Sequence, residues 1–293
     1  MTTTETRTSP EKPTITVGIG AASSGPVQIV ALVERTLRDR WRSLLVWSLG
    51  LVGISAVQLA VYPSVASTAA GWQSMVDQWP QALREAFHLE AYTTGPGFLN
   101  TELFSMMFPL VLTAVALGAA AAATAGEEER GTADLLLSLP VTRGRVIAAK
   151  TIAMVLGVAV VAGAGTVTVV VGSPLVNLSV GTVDVLAAGL MTSLLGLLFG
   201  AFGLLLGVLT GHRAAVLGGG IALAIAAFLL NALAPLASWL EPWQKVSPFY
   251  WALHSDSLLH GVDWAMAGLM SGVALLLLAA AARVFHRRDI SSR

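Results

Sequence analysis

The chain has 293 residues, of which 55% are hydrophobic and only 12% are charged. Soluble globular domains carry about 25% charged residues, so this composition excludes an ordinary water-soluble fold. The absence of cysteine excludes disulfides, thiolate metal sites and cysteine nucleophiles. The formal net charge is zero, so the overall charge indicates no nucleic-acid partner.

The two ends of the chain are polar. Residues 1–25 are rich in Thr, Ser, Gly and Pro and lack the apolar core of a cleaved signal peptide. We expect them to form a disordered cytoplasmic tail, and we expect residues 286–293 to form a second tail.

An amphipathic segment precedes the first apolar stretch. Apolar side chains recur at helical spacing over residues 26–42, and charged side chains occupy the other faces. This pattern predicts a helix lying in the inner membrane interface, in contact with lipid. The alternative is that the segment is the cytoplasmic end of the first span.

Six segments contain no ionisable residue and are long enough to cross a bilayer as helices. They are Ser43–Tyr62, Leu103–Thr124, Thr151–Gly172, Val185–Thr210, Ala214–Ala237 and Trp264–Ala282. The predicted fold is therefore all-α, a polytopic membrane protein with a six-helix transmembrane domain over residues 43–285.

The distribution of basic residues predicts the orientation of the spans. With both ends inside, 15 of the 17 Lys and Arg residues lie on the cytoplasmic side, and only Arg84 and Lys245 lie outside. Because basic residues concentrate on the cytoplasmic side of membrane proteins, both ends are predicted to be cytoplasmic. The outer segments are then Pro63–Glu102 and Ser238–Asp263, and aromatic residues in the second are typical of an interfacial belt.

The connection between the second and third spans is acidic. Three glutamates are unfavourable at a helix C-terminus, so the second span is expected to stop near Gly126. A short helix ending at Pro140 is predicted to follow. Its leucines are suited either to dipping into the inner leaflet or to docking a soluble partner, and the residues alone favour neither.

The run Glu-Glu-Arg-Gly-Thr-x-Asp-x-Leu-Leu-Ser-x-Pro-Val-Thr-Arg, at Glu128–Arg143, resembles the coupling loop of ABC-2 type transporter permeases. The charged helix before the first span, the six-span layout and the sequence Gly97-Phe98-Leu99-Asn100 are also similar to this family. The resemblance covers about residues 26–288.

This resemblance implies a permease subunit of a bacterial exporter in the cytoplasmic membrane, paired with a second copy or a sister permease. It also implies a cytoplasmic ATPase partner, which would be contacted by Glu127, Glu128, Glu129, Arg130, Thr132, Asp134, Leu135, Leu136, Leu139 and Pro140. The chain itself has no phosphate-binding loop, because none of its three lysines follows a glycine. ATP and magnesium are therefore expected on the partner, and this chain is expected to be neither an enzyme nor a cofactor-binding protein.

Glycines form a row along the fourth predicted span. Their spacing puts them within an arc of about 80° on a helix, as expected for close helix packing. They are Gly189, Gly196, Gly200, Gly203, Gly207 and Gly211. Asn231 is one of few strongly polar side chains in a span, and we expect it to form an interhelical hydrogen bond.

Two other functions are compatible with the sequence. An ion-coupled secondary transporter usually carries ionisable groups within the bilayer, and the six predicted spans contain none. A membrane scaffold without transport activity is the other alternative. For an exporter, neutral spans suggest an apolar or amphipathic substrate, such as an antibiotic or a lipid-like molecule.

Overall fold

The computed structural model describes residues 25–80, Arg84, 94–128 and 143–287. This part of the chain is helical apart from short connections, and it contains no strand. Six of its helical segments are long and apolar enough to cross a membrane, namely Gln28–Ser67, Gly95–Thr124, Gly144–Val176, Thr182–Thr210, Arg213–Leu236 and Trp264–Phe285. The prediction of an all-α fold with six spans is confirmed.

The α-helices are α1 (Gly25–Ser67), α2 (Ala69–Val76), α3 (Gly95–Leu99), α4 (Phe108–Glu128), α5 (Arg143–Gly172), α6 (Thr182–Thr210), α7 (Arg213–Leu233), α8 (Glu241–Gln244), α9 (Pro248–Leu253), α10 (Ser257–His260) and α11 (Trp264–Arg287). A π-helix, Asn100–Met107, joins α3 to α4, and 3₁₀ turns follow α5 at Ser173–Val176 and α7 at Ala234–Leu236. The predicted tails lie outside the described residues, except where α1 begins at Gly25 and α11 ends at Arg287.

Helix α1 is continuous over 43 residues. At 1.5 Å per residue it is roughly 65 Å long, about twice the thickness of a hydrocarbon core. Its first turns pack on the bundle, where Arg145 Nη1 donates a hydrogen bond to Gln28 Oε1 over 3.2 Å. Residues 26–42 are helical and continue without a break into the first span helix, as in the alternative given above.

The second span begins earlier than the hydropathy pattern predicts. Helix α3 starts at Gly95, where the Thr94 hydroxyl accepts a hydrogen bond from Gly97 N, and the π-helix continues without a break into α4. Pro109 has no N–H to donate to the carbonyl four residues earlier, and its ring crowds that carbonyl. The wider π turn before it, in which Phe108 N donates to Leu103 O, accommodates this crowding.

The core lies between α6 and the helices around it. One cluster joins α1, the second span, α5 and α6, and within it the rings of Phe104 and Phe108 have centroids 4.5 Å apart. A second cluster joins α6 to α7, α9 and α11, with Phe199 and Phe249 at 5.8 Å. Helix α6 therefore contributes to both halves of the bundle.

Contacts at the two ends of the bundle show which helix ends lie together. At one end Ile147 of α5, Val208 of α6 and Ala281 of α11 pack together. The start of α1, the end of α4 and the start of α7 lie at the same end, which we call the loop end because residues 129–142 connect there. At the opposite end, a Cβ added to Gly95 would lie 2.9 Å from the Leu178 side chain.

Candidate coupling region and transport cavity

The predicted coupling segment begins at the end of α4. The helix continues through Gly126 to Glu128, so its last described residue lies beyond the predicted stop. A single glycine is tolerated inside a helix and does not by itself end one. Glu127 and Glu128 belong to this last turn, whereas Glu129, Arg130, Thr132, Asp134, Leu135, Leu136, Leu139 and Pro140 lie outside the described residues.

The two helices that flank this segment are held together next to it. Lys150 Nζ, two turns into α5, donates a hydrogen bond to the Ala123 carbonyl near the end of α4. The last carbonyls of a helix lack backbone partners, so a lysine there satisfies one of them and meets the negative end of the helix dipole. The chain therefore leaves and re-enters the bundle at neighbouring positions.

Basic side chains collect at the loop end. Arg40 of α1 lies against α4, with its Nη2 atom 3.8 Å from the position of a Cβ added at Gly118. Arg213 begins α7 at the same end of the molecule. Together with Arg145 and Lys150, they place four basic side chains at the end where the acidic segment also connects.

Four glycines of the α6 row face a single ridge of α4. The facing residues are spaced by four, as Leu112, Ala116, Ala120 and Thr124, opposite Gly196, Gly200, Gly203 and Gly207 respectively. An added Cβ would lie 3.0 Å from backbone atoms of Leu112 at Gly196, and 2.9 Å from the Ala116 Cβ at Gly200. Helices α4 and α6 are therefore parallel neighbours in close contact.

The other two members of the row differ from these four. Gly189 faces α5, where an added Cβ would lie 2.5 Å from Thr166 Oγ1. Gly211 follows α6 with φ 69°, in the left-handed conformation that glycine adopts without strain, and its N–H bonds to Gly207 O. Gly211 therefore ends the helix, while the others lie along its packed surface.

An apolar cavity of about 390 Å³ lies between α4 and α7. Carbon atoms form almost all of its wall, and Phe228 and Phe249 close one side. Thr113 also lines it, and the buried Thr113 hydroxyl has no hydrogen-bond partner among the described residues. Such a carbon-rich wall suits an apolar molecule, or the apolar part of an amphipathic one.

An ionisable residue lies within the second span as the structure defines it. Glu102 is in the π-helix, and its Oε2 atom accepts a hydrogen bond from Gln58 Nε2 of α1 over 2.8 Å. The expectation that the spans contain no ionisable group is therefore corrected for this span. A signal was present in the sequence, because Glu102 is the only charged residue between Gly95 and Thr124.

The segment after α7 folds back on that helix. Gln244 Nε2 donates to the Asn231 carbonyl at 3.1 Å, and Ser247 Oγ donates to the Ala227 carbonyl at 2.7 Å. Asn231 therefore contacts a residue of this connecting segment rather than a neighbouring span. Within the described ranges no three His, Asp or Glu residues are grouped as metal ligands.

A bundle of six apolar helices with an open apolar cavity defines a multi-pass α-helical membrane protein. The sequence model of the ABC-2 family transporter protein matches residues 30–290, and the chain belongs to this family. It is accordingly a transmembrane component of a transporter. No individual curated protein matches the chain at a significant level.

Proposed function

We propose that this chain is the permease subunit of an exporter in the bacterial cytoplasmic membrane, driven by a separate cytoplasmic ATPase. The observation that carries the proposal is the family match over residues 30–290, since it includes both the bundle and the acidic segment Glu127–Pro140. ATP and Mg²⁺ bind the partner, because the sequence of this chain has no phosphate-binding loop.

The loop end faces the cytoplasm in this proposal. Arg40, Arg145, Lys150 and Arg213 all lie there, and the positive-inside rule assigns such an end to the cytoplasmic side. Both chain ends are then cytoplasmic.

The ATPase acts on the bundle through α4. When the ATPase pair closes, it displaces Glu127–Pro140 and with it the end of α4. Close contact between Gly196 and Leu112, and between Gly200 and Ala116, supports joint movement of α6 with α4, because backbones in contact cannot slide without a clash. The movement changes the space between α4 and α7, where the apolar cavity lies.

The substrate is an apolar or amphipathic molecule that occupies this cavity. Its carbon-rich wall supports an apolar molecule, or the apolar part of an amphipathic one. The side formed by Leu110 and Ile221 is exposed on the surface of this chain. A second permease, either a copy of this chain or a sister chain, covers that side.

The test is charge reversal in the coupling segment. The combined change Glu127→Lys, Glu128→Lys and Glu129→Lys is expected to lower ATP-dependent export in inverted membrane vesicles by roughly tenfold or more, because it removes the proposed acidic contacts with the ATPase and reverses the charge of the segment. Glu241→Lys is the matched control, since Glu241 is exposed at the opposite end. Unchanged export and unchanged ATPase association in the triple variant would refute the coupling role.

Glu102 is the one observation that favours an ion-coupled alternative, because a carboxylate within a span can carry a proton. Export that stops with an uncoupler while ATP is held constant would support that alternative. Normal export of every tested compound by a deletion strain would support the other alternative, a membrane scaffold without transport activity.

A further inference from the structure

A second cavity, separate from the apolar one, lies at the loop end. It has a volume of about 170 Å³ and is enclosed by α1, α4 and α5. Alanines of α4 form one wall, and the two basic side chains of Arg40 and Lys150 contribute to the others. We call it the Arg40 pocket.

Arg40 differs from the neighbouring arginines of α1 in its surroundings. Arg38 pairs with Glu34 at 2.5 Å on the exposed face, and the exposed Arg42 lies over the Trp41 ring at 5.5 Å. Arg40 is partly buried, and it makes no hydrogen bond or ion pair with any described residue. Partial burial weakens the hydration of a guanidinium, so an anion beside Arg40 would stabilise it.

The charges around Arg40 define what kind of ligand suits the pocket. Lys150 Nζ is held at its wall by the Ala123 carbonyl. Asp39 is the single carboxylate among the described lining residues, and its side chain is exposed rather than paired with Arg40. The pocket therefore attracts a small anion with several oxygen acceptors.

The position of the pocket along α1 indicates the depth at which it lies. Arg40 stands just before the charge-free stretch that begins at Ser43, and the buried Leu44 forms the inner end of the pocket. The charge-free stretch is the part of α1 suited to hydrocarbon, so we place Arg40 at its edge, at the depth of lipid phosphates. Basic pockets between helices at that depth suit anionic headgroups.

We propose that the Arg40 pocket binds a phosphate group, with Arg40 as its main ligand and the phosphate supplied by an anionic phospholipid of the adjoining leaflet. The guanidinium donates two parallel hydrogen bonds to phosphate oxygens, and Lys150 adds a second positive charge. The bound lipid joins the start of α1 to α4 and α5, next to the coupling segment. The proposal goes beyond export and coupling, and its test requires neither ATPase nor substrate.

The test compares lipid retention by the full-length chain and its variants in detergent, using native mass spectrometry with added phosphatidylglycerol or phosphatidylcholine. Wild type is expected to prefer phosphatidylglycerol, and Arg40→Gln is expected to weaken its binding about tenfold, the effect of losing a charge-assisted hydrogen-bonding group. Arg42→Gln is the matched control and is expected to stay within about twofold of wild type, since exposed charges contribute little. Inorganic phosphate is added as a competitor in a separate arm.

The outcomes separate the sources of phosphate. Selective loss of phosphatidylglycerol in Arg40→Gln supports a lipid site, whereas Arg40-dependent binding of inorganic phosphate without lipid preference supports a soluble phosphate. Ala122→Leu fills the pocket and keeps Arg40, and it is also expected to weaken phosphatidylglycerol binding. It replaces Arg40→Gln as the test variant if Arg40→Gln does not fold. Equal lipid retention in wild type, Arg40→Gln and Ala122→Leu would overturn the proposal. It would do so even if Arg40→Gln impaired ATPase coupling.

Discussion

Gly196 of α6 lies directly against the backbone of Leu112 on α4, where an added Cβ would be 3.0 Å from the Leu112 carbonyl oxygen. Backbone atoms cannot rotate away as a flexible side chain can. The contact therefore requires glycine for reasons of space rather than conformation, and it joins the helix that ends at the coupling segment to the centre of the bundle.

Gly196→Ala is expected to destabilise the protein by about 1–3 kcal/mol, the usual effect of overpacking a tight contact. Thermal unfolding in detergent measures the change. Gly163→Ala is the control, because an added Cβ at Gly163 has nothing within 4 Å. We expect this control to be neutral or slightly stabilising, since alanine favours helix more than glycine does. Equal melting temperatures for the two variants would contradict the packing role.

Gln58→Leu is expected to lower stability by roughly 1 kcal/mol, because interhelical hydrogen bonds in membrane proteins contribute up to about 1.7 kcal/mol. The change removes the Gln58 amide, which donates a hydrogen bond to Glu102, 44 residues further along the chain. Gln78→Leu, which removes an exposed amide bonded within its own segment, is the control and should have a much smaller effect. Thermal unfolding midpoints of the two variants in detergent give the comparison, and equal midpoints would contradict a stabilising role for the hydrogen bond between Gln58 and Glu102.

The orientation is tested by single cysteines, because the chain contains none of its own. With the loop end in the cytoplasm, Thr132→Cys should react with a membrane-impermeant maleimide only after the cells are opened. Ser74→Cys, at an exposed site on α2, should react in intact cells. Labelling of Thr132→Cys from outside would reverse the orientation and remove the proposed ATPase contact.

The cavity between α4 and α7 is tested by filling it. Ala224→Leu narrows the cavity and is expected to lower export of a bulky apolar compound roughly tenfold, since a surplus side chain in a filled site costs about 1–3 kcal/mol. Ala226→Leu is on the same helix but is exposed and does not line the cavity. Transport assays with both variants at matched expression give the comparison, and equal export would exclude this cavity from the pathway.

The site was less predictable from sequence than the fold. The glycine row of α6 was visible from its spacing, but its partners Leu112 and Thr124 were not identified, although α4 repeats small residues every four positions. From the sequence, Arg40 is only one of the 15 basic residues predicted on the cytoplasmic side. Its partial burial depends on α4 and α5, whose positions relative to α1 are not encoded in any local pattern.

The sequence by itself determined that the chain crosses a membrane as six helices, because long runs without charge satisfy their backbone in lipid only as helices. Local hydropathy also approximated most span limits. Only the tertiary structure decided that the second span begins at Gly95 and includes Glu102, and that residues 26–42 continue into the first span. Those features depend on contacts such as Gln58 with Glu102 and Gln28 with Arg145, between residues far apart in the chain, and a local average of hydropathy contains no information about them.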